Sequence, residues 1–215
     1  MILNKNQQIY FYLFGIFSLI ISSIMGEDSS GGSKLDKEIT RQFIDNFLIS
    51  FDNGIKYFLN SGQVQSPIFY ILVSIIEKTL GFNFLKYSYL LISSVIPIIF
   101  YISLKKKFKG VDKNILFLIS LIIFLSPYFR SSATWITTDN FAIIFFILSV
   151  NKYLDLEKKY TNQNMIFCIF YLSIAVYIRQ YYIIFFLLYF LKFFEILNLK
   201  KIFSLAFLTL IPSLG

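Results

Sequence analysis

The chain has 215 residues, 57% hydrophobic and 20% aromatic, with a net charge of +8 and a mean hydropathy of +0.68. Charged residues make up only 15%, against about 25% in a soluble domain, and the apolar excess falls in blocks of membrane-spanning length. With no histidine and a single cysteine, Cys168, the chain is excluded from Ser-His-Asp and Cys-His catalysis, from the usual zinc sites and from an intrachain disulfide. The positive charge is assigned to lysines in loops between spans rather than to nucleic-acid binding, since no basic face with aromatics lies outside the apolar blocks. The sequence predicts an all-α, multi-pass transmembrane helical bundle forming one domain, 1–215.

The first span is expected over 6–26, a run free of charge from Asn6 to Gly26. No small-x-small cleavage site follows a short apolar core, so it reads as a retained span and not as a signal peptide. Glu27 and Asp28 arrive together at its exit, followed by Ser29-Ser30-Gly31-Gly32-Ser33. Residues 27–86 then form a long outer loop with amphipathic surface helices. Leu35, Ile39, Phe43 and Phe47 recur at four-residue spacing, and Ile44, Leu48, Phe51 and Ile55 continue a neighbouring stripe. Ser33-x-x-Asp36 has the spacing of a capping box, and Asp52-Asn53-Gly54 reads as a turn. Ser66 is an N-cap with Pro67 at the first helical position of a segment over 67–80. Its apolar run before Glu77 and Lys78 is too short for a span, so it is expected to be interfacial or re-entrant.

Further spans occupy 87–215: Tyr87–Leu104, Asn114–Phe129, a run after Asp139, Asn164–Ile178, and a sixth ending at Lys200-Lys201. This register places twelve lysines inside and eight basic residues outside, with Lys105, Lys106, Lys107, Lys109 and Lys113 crowded into one short inner loop. Counting residues 67–80 as a full crossing would turn that cluster outward, against the positive-inside rule. The expected N-terminus is therefore cytoplasmic. A last apolar run from Ile202 reaches Gly215 without a polar flank, which reads as the N-terminal part of a longer protein.

One face thereby collects Glu27-Asp28, the segment from Arg130 to Asp139-Asn140, and Arg179-Gln180. All three arginines of the chain lie on it, and arginine presents a planar fork suited to phosphate. The run after Asp139 is short before Lys152, which sets Asp139 at the membrane boundary, where ionisable residues are costly and often functional. Without histidine, proton transfer falls to carboxylates, Tyr, Lys or water; a carboxylate can serve as general base on a sugar hydroxyl while arginine steadies a leaving lipid phosphate. That chemistry is sugar transfer from a lipid-phosphate donor. A flippase or transporter of a lipid-linked or anionic solute fits the same residues. No cofactor is indicated, and a divalent metal would have no dedicated cluster.

The order of motifs resembles the polytopic C-type glycosyltransferases that use polyprenyl- or dolichyl-phosphate sugars, including those acting on proteins and lipid A. Glu27-Asp28, Ser66-Pro67-Ile68-Phe69-Tyr70 and Lys105-Lys106-Lys107-Phe108 are similar to that family's acidic motif, Pro-aromatic helix and basic inner loop. Ser126 to Arg130 and Thr137 to Asn140 resemble its next outer loop. Tyr177-Ile178-Arg179-Gln180 is similar to the Arg-Gln segment of the dolichyl-phosphate-glucose α-1,2-glucosyltransferases. The resemblance spans roughly residues 6–200. It implies an inverting hexosyltransferase embedded in the bilayer, of a plasma or inner membrane in a bacterium, with a polyprenyl-phosphate sugar as donor and a glycan, lipid or protein as acceptor. It further implies Asp28 or Glu27 as catalytic base, and Arg130, Asp139, Arg179 and Gln180 as substrate contacts. Glu27-Asp28 inverts the Asp-Glu order common in that family.

Overall fold

The computed structural model describes residues 3–28, 31–63 and 66–196; Ser29, Ser30, Lys200, Lys201 and the run from Ile202 lie outside them. Among the described residues every regular element is helical. Helix α1 (Lys5–Met25) opens on a capping box, in which the Asn4 side chain accepts from the Gln7 amide and the Gln7 side chain accepts from the Asn4 amide, both at 2.9 Å. It closes at Gly26, whose φ of 64° is the left-handed conformation glycine adopts without cost. Then come α2 (Ser33–Ile49), α3 (Phe51–Asn60), α4 (Ile68–Leu80), α5 (Phe82–Lys107) and α6 (Lys113–Leu121). A 3₁₀ turn (Ile122–Leu125) leads to α7 (Pro127–Trp135), α8 (Thr138–Lys158) and α9 (Asn162–Ile178), and a second (Gln180–Ile183) leads to α10 (Ile184–Ile196).

Among the described residues two helices, α1 and α5, are long and apolar enough to cross a membrane. The run expected as a continuous third span, Asn114–Phe129, is instead broken, with Lys113–Leu125 and Pro127–Trp135 meeting at 59°. The cause is local: Pro127 cannot donate into the preceding turn, and Ser126, extended at φ −67° and ψ 122°, caps α7 by accepting from the Phe129 amide. Helix α4, of 13 residues, does not qualify as a span. Asp52-Asn53-Gly54 lies inside α3 and is not a turn, because Ser50 caps that helix through the Asn53 amide. Gly54 there gives up its side chain to the Phe47 ring of α2. Helix α2 starts at Ser33 with Gly32 in the cap position, so Ser33 is the first residue of the helix and not its cap. Pro67, one residue earlier than expected relative to the helix, occupies the cap position of α4.

The stripes on α2 are only partly exposed. Phe43, Ile44 and Phe47 are buried, and Phe43 stacks on Tyr70 of α4 with ring centroids 4.7 Å apart. Leu35 and Ile39 stay exposed. Among the described residues the most extensive helix–helix contact is that of α8 with α9, where Ala142, Cys168, Leu172 and Ala175 are fully buried and small side chains let backbones approach. There the Ser149 hydroxyl donates to the Cys168 carbonyl at 2.7 Å.

The helices leave two polar ends. At one, Gln8 of α1 donates to Asn114 of α6 at 2.8 Å, and Lys106 and Lys107 of α5 pair with Asp155 and Glu157 of α8 at 2.8 and 3.2 Å. At the other meet the end of α1, the start of α5, helix α7, the start of α8 and the end of α9.

At the middle of α1, a Cβ on Gly15 would stand 2.3–2.9 Å from the Phe124 ring, so Gly15→Ala must displace the whole ring. Overpacking of this kind costs about 1–3 kcal/mol; the expected result is a lower midpoint of thermal unfolding in detergent, with helix content retained.

Candidate functional site

The expected residues fall into two arginine–carboxylate pairs on either side of the α7–α8 junction. In the first, Glu27 at the exit of α1 meets Arg130 of α7. Nε donates to Oε1 at 2.9 Å and to Oε2 at 3.0 Å, and Nη2 donates to Oε2 at 2.5 Å. The remaining amino group, Nη1, donates to the Ser18 hydroxyl at 2.5 Å and to the Phe124 carbonyl at 3.4 Å. Trp135, at the end of α7, donates its indole N–H to the Glu27 carbonyl at 2.9 Å. Side chain and backbone of Glu27 are thus both held by one short helix.

In the second pair, Arg179 Nη2 donates to Asp139 Oδ2 at 2.8 Å. Thr137 donates to the same oxygen at 3.2 Å and Tyr181 to Oδ1 at 3.3 Å. The side chains in both pairs are 17–30% exposed. Asp28 is half-buried, and Gln180, which opens the second 3₁₀ turn, is exposed. Between the pairs lies a buried polar knot in which Asn140 donates from Nδ2 to the Ser93 hydroxyl at 3.1 Å and to the Phe129 carbonyl at 2.9 Å. Tyr89 closes the knot with a hydrogen bond to the Thr137 carbonyl.

The Arg130 fork expected to contact phosphate is therefore occupied by Glu27, and Arg179 meets Asp139 through Nη2, with its Nε buried and without a partner among the described residues. Arg41, the third arginine, follows the same rule, with Nη1 2.8 Å from both oxygens of Glu77 and Nη2 2.6 Å from Asp45. Burial opposes its charge, but the bonds to Asp45 and Glu77 prevail and raise its pKa above the ordinary arginine value.

Open cationic chemistry is found where no motif pointed. A pocket of about 110 Å³ lies between the end of α1, helix α2, the start of α5 and the end of α7. Lys37, Arg41 and Lys86 line it with the hydroxyl residues Ser23, Thr40 and Thr134, and Trp135 forms part of its wall. Among the described residues neither lysine has a carboxylate partner. Lys37 Nζ rests 4.8 Å from the Trp135 ring centroid, and the Ser23 hydroxyl is buried without a partner. The sequence did carry a trace of this: Lys37 and Arg41 are one helical turn apart, hence on one face, and Trp135 is the single tryptophan of the chain. Lys86 had no signal, because its approach depends on how α5 packs.

Comparison with protein-family models, with curated proteins and with solved structures gives no match. Function must be read from the site alone. Among the described residues no group of three or more His, Cys, Asp or Glu side chains could hold a metal ion.

Replacing Glu27 with Gln leaves the Arg130 guanidinium without its counter-charge. Exposed pairs contribute about 0.2–1 kcal/mol and breaking fully buried ones costs about 3–5; for this partly shielded pair, a loss of about 1–3 kcal/mol is expected in detergent unfolding. Adding Arg130→Gln should recover part of the loss, giving a non-zero coupling in the double-mutant cycle.

Proposed function

We propose that the chain transfers a sugar from a polyprenyl-phosphate-linked donor to an acceptor hydroxyl at the end of the bundle that carries Glu27 and Asp28. The observation that carries this reading is the double role of Trp135. Its indole N–H holds the Glu27 backbone, while its ring walls the cationic pocket and underlies Lys37. A carboxylate pair and an anion-attracting hollow are thereby neighbours. The donor phosphate is assigned to the hollow, against Lys37 and Lys86, in place of Arg130 and Arg179. Its prenyl chain would run along apolar wall residues such as Ile44, Phe82 and Leu85.

Glu27, with both oxygens committed to Arg130, positions α7, and Asp28 is the base. As the acceptor oxygen attacks the anomeric carbon, Asp28 takes the hydroxyl proton. The bond from that carbon to the phosphate oxygen breaks, its electron pair leaves with the polyprenyl phosphate, and the anomeric configuration inverts. The resemblance in motif order supports the same assignment. So does the charge asymmetry, because the opposite end, with Lys105, Lys109, Lys113, Lys158 and Lys159, has the character of a cytoplasmic face. On that orientation the N-terminus is cytoplasmic and the site faces outward.

One observation favours a second reading, movement of a lipid-linked or anionic solute. Two apolar helices are interrupted, at Ser126-Pro127 and at Arg179, each beside an arginine–carboxylate pair, and interrupted helices are common in transporters.

The test uses the full chain in liposomes with a radiolabelled polyprenyl-phosphate sugar. Asp28→Asn should reduce covalent transfer by about 10²–10⁴-fold, the usual contribution of a general base, with insertion and abundance unchanged. Lys37→Gln combined with Lys86→Gln should raise KM for the donor more than it lowers kcat. Undiminished transfer in both Asp28→Asn and Glu27→Gln would overturn the assignment of the base, absence of transfer by the unaltered chain would sink the enzyme reading, and labelled lipid crossing the bilayer without a product would establish the second.

A further inference from the structure

Helix α7 has a second pocket at its other end. It measures about 230 Å³ and lies between the first 3₁₀ turn, the start of α7, the start of α8 and the second 3₁₀ turn. Ser126, Tyr128, Phe129, Asp139, Asn140 and Tyr181 line it. Its chemistry differs from that of the cationic pocket. Among the described residues the only charged one lining it is Asp139, and Arg179 already neutralises it through Oδ2. The other carboxylate oxygen, Oδ1, has a single long contact, 3.3 Å, with the Tyr181 hydroxyl, so it retains capacity to accept. Asn140, fixed through Nδ2, keeps Oδ1 buried without a partner, and an unmade buried hydrogen bond of this kind is costly. Tyr128 and Tyr181 are largely exposed at 73% and 56%, which leaves ring face open beside these acceptors.

A site that is electrically balanced, rich in acceptors and bordered by exposed aromatic rings does not select an anion or a cation. It selects a neutral ligand that brings several hydroxyl donors on an otherwise C–H-lined ring. We infer that this pocket binds a single saccharide ring, with hydroxyls on Asp139 Oδ1 and Asn140 Oδ1 and a ring face on Tyr128 or Tyr181. Its volume is below the roughly 300–1,000 Å³ of sites for drug-sized ligands, which limits it to one ring. The inference deepens the proposed sugar transfer and rests on that reading for its purpose, but the binding it describes is measurable without any transfer. The ring belongs either to the donor or to the acceptor.

The experiment is saturation-transfer NMR on the detergent-solubilised full chain with the methyl α- and β-glycosides of glucose, galactose, mannose and N-acetylglucosamine, and glycerol as control. At least one glycoside should show saturation that glycerol lacks. Tyr128→Ala and Asp139→Asn should each weaken it at least fivefold, and Lys37→Gln, in the other pocket, should leave it intact. Saturation by none of the eight glycosides, or saturation that survives Tyr128→Ala together with Asp139→Asn, overturns the inference. Because Asp139→Asn also disturbs Arg179, the folded state of each variant is checked by its thermal midpoint, and Tyr128→Ala, at an exposed position, decides if Asp139→Asn unfolds. In the liposome transfer assay, a KM change for the lipid-linked sugar in Tyr128→Ala assigns the ring to the donor, and a change for the hydroxyl substrate assigns it to the acceptor. Saccharide binding with no transfer in any variant would leave the pocket standing and remove the enzymatic reading.

Discussion

The contact on which the polar end depends is the fork between Arg130 and Glu27. Helix α7 is nine residues long, too short to persist alone, and it follows a sharp break at Ser126-Pro127. What holds it across the bundle is a charge-assisted pair at one end of its face and the Trp135 indole at the other, both directed at Glu27, just past the end of α1. Hydrogen bonds between ionised partners are about twice as strong as neutral ones, and the planar guanidinium fixes direction as well as distance. Once α7 is fixed, its first turn forms one wall of the neutral pocket and its last turn one wall of the cationic pocket. A lysine at position 130 would keep the charge and lose this control of angle.

Much of this arrangement was legible beforehand. The uncharged run up to Gly26, the carboxylates at its exit and the arginines expected on one face are properties of residue type and order, and in the structure Glu27 pairs with Arg130 and Asp139 with Arg179. The break at Ser126 was legible in principle, since a serine cap followed by proline is a helix start, but an apolar stretch on both sides read as one span. Gly54 misled for a different reason. Glycine after Asp-Asn marks a turn when nothing competes, and here the Phe47 ring occupies the space that a side chain would need. The partners of the arginines could not be read at all, because the choice between a substrate phosphate and a carboxylate of the same chain is made by tertiary contact.

Lysine and arginine have thus divided their work in this chain. All three arginines bind carboxylates from distant or neighbouring helical positions and act as fasteners. At the same end, Lys37 and Lys86 remain the uncommitted positive charges of the cationic pocket. Arginine's rigid, bidentate geometry suits permanent joints, and the mobile, strongly hydrated ammonium of lysine suits a partner that arrives and leaves.

Helix α8 is fastened at both extremities, by Asp139 to Arg179 of α9 and by Asp155 to Lys106 of α5. Sixteen residues separate the two acids, a rise of about 24 Å. A bilayer's hydrocarbon core is about 30 Å thick. Since neither fastening can slide along the helix without breaking an ion pair, the two polar ends of the bundle are held a fixed distance apart. In the proposed orientation, a bilayer crossed by the bundle would have to thin toward that distance, at a fraction of a kcal/mol for each ångström of mismatch. Membrane thickness then becomes a variable to which the polar end responds: a thicker bilayer raises the cost of keeping both ends of α8 wetted, and a thinner one relieves it.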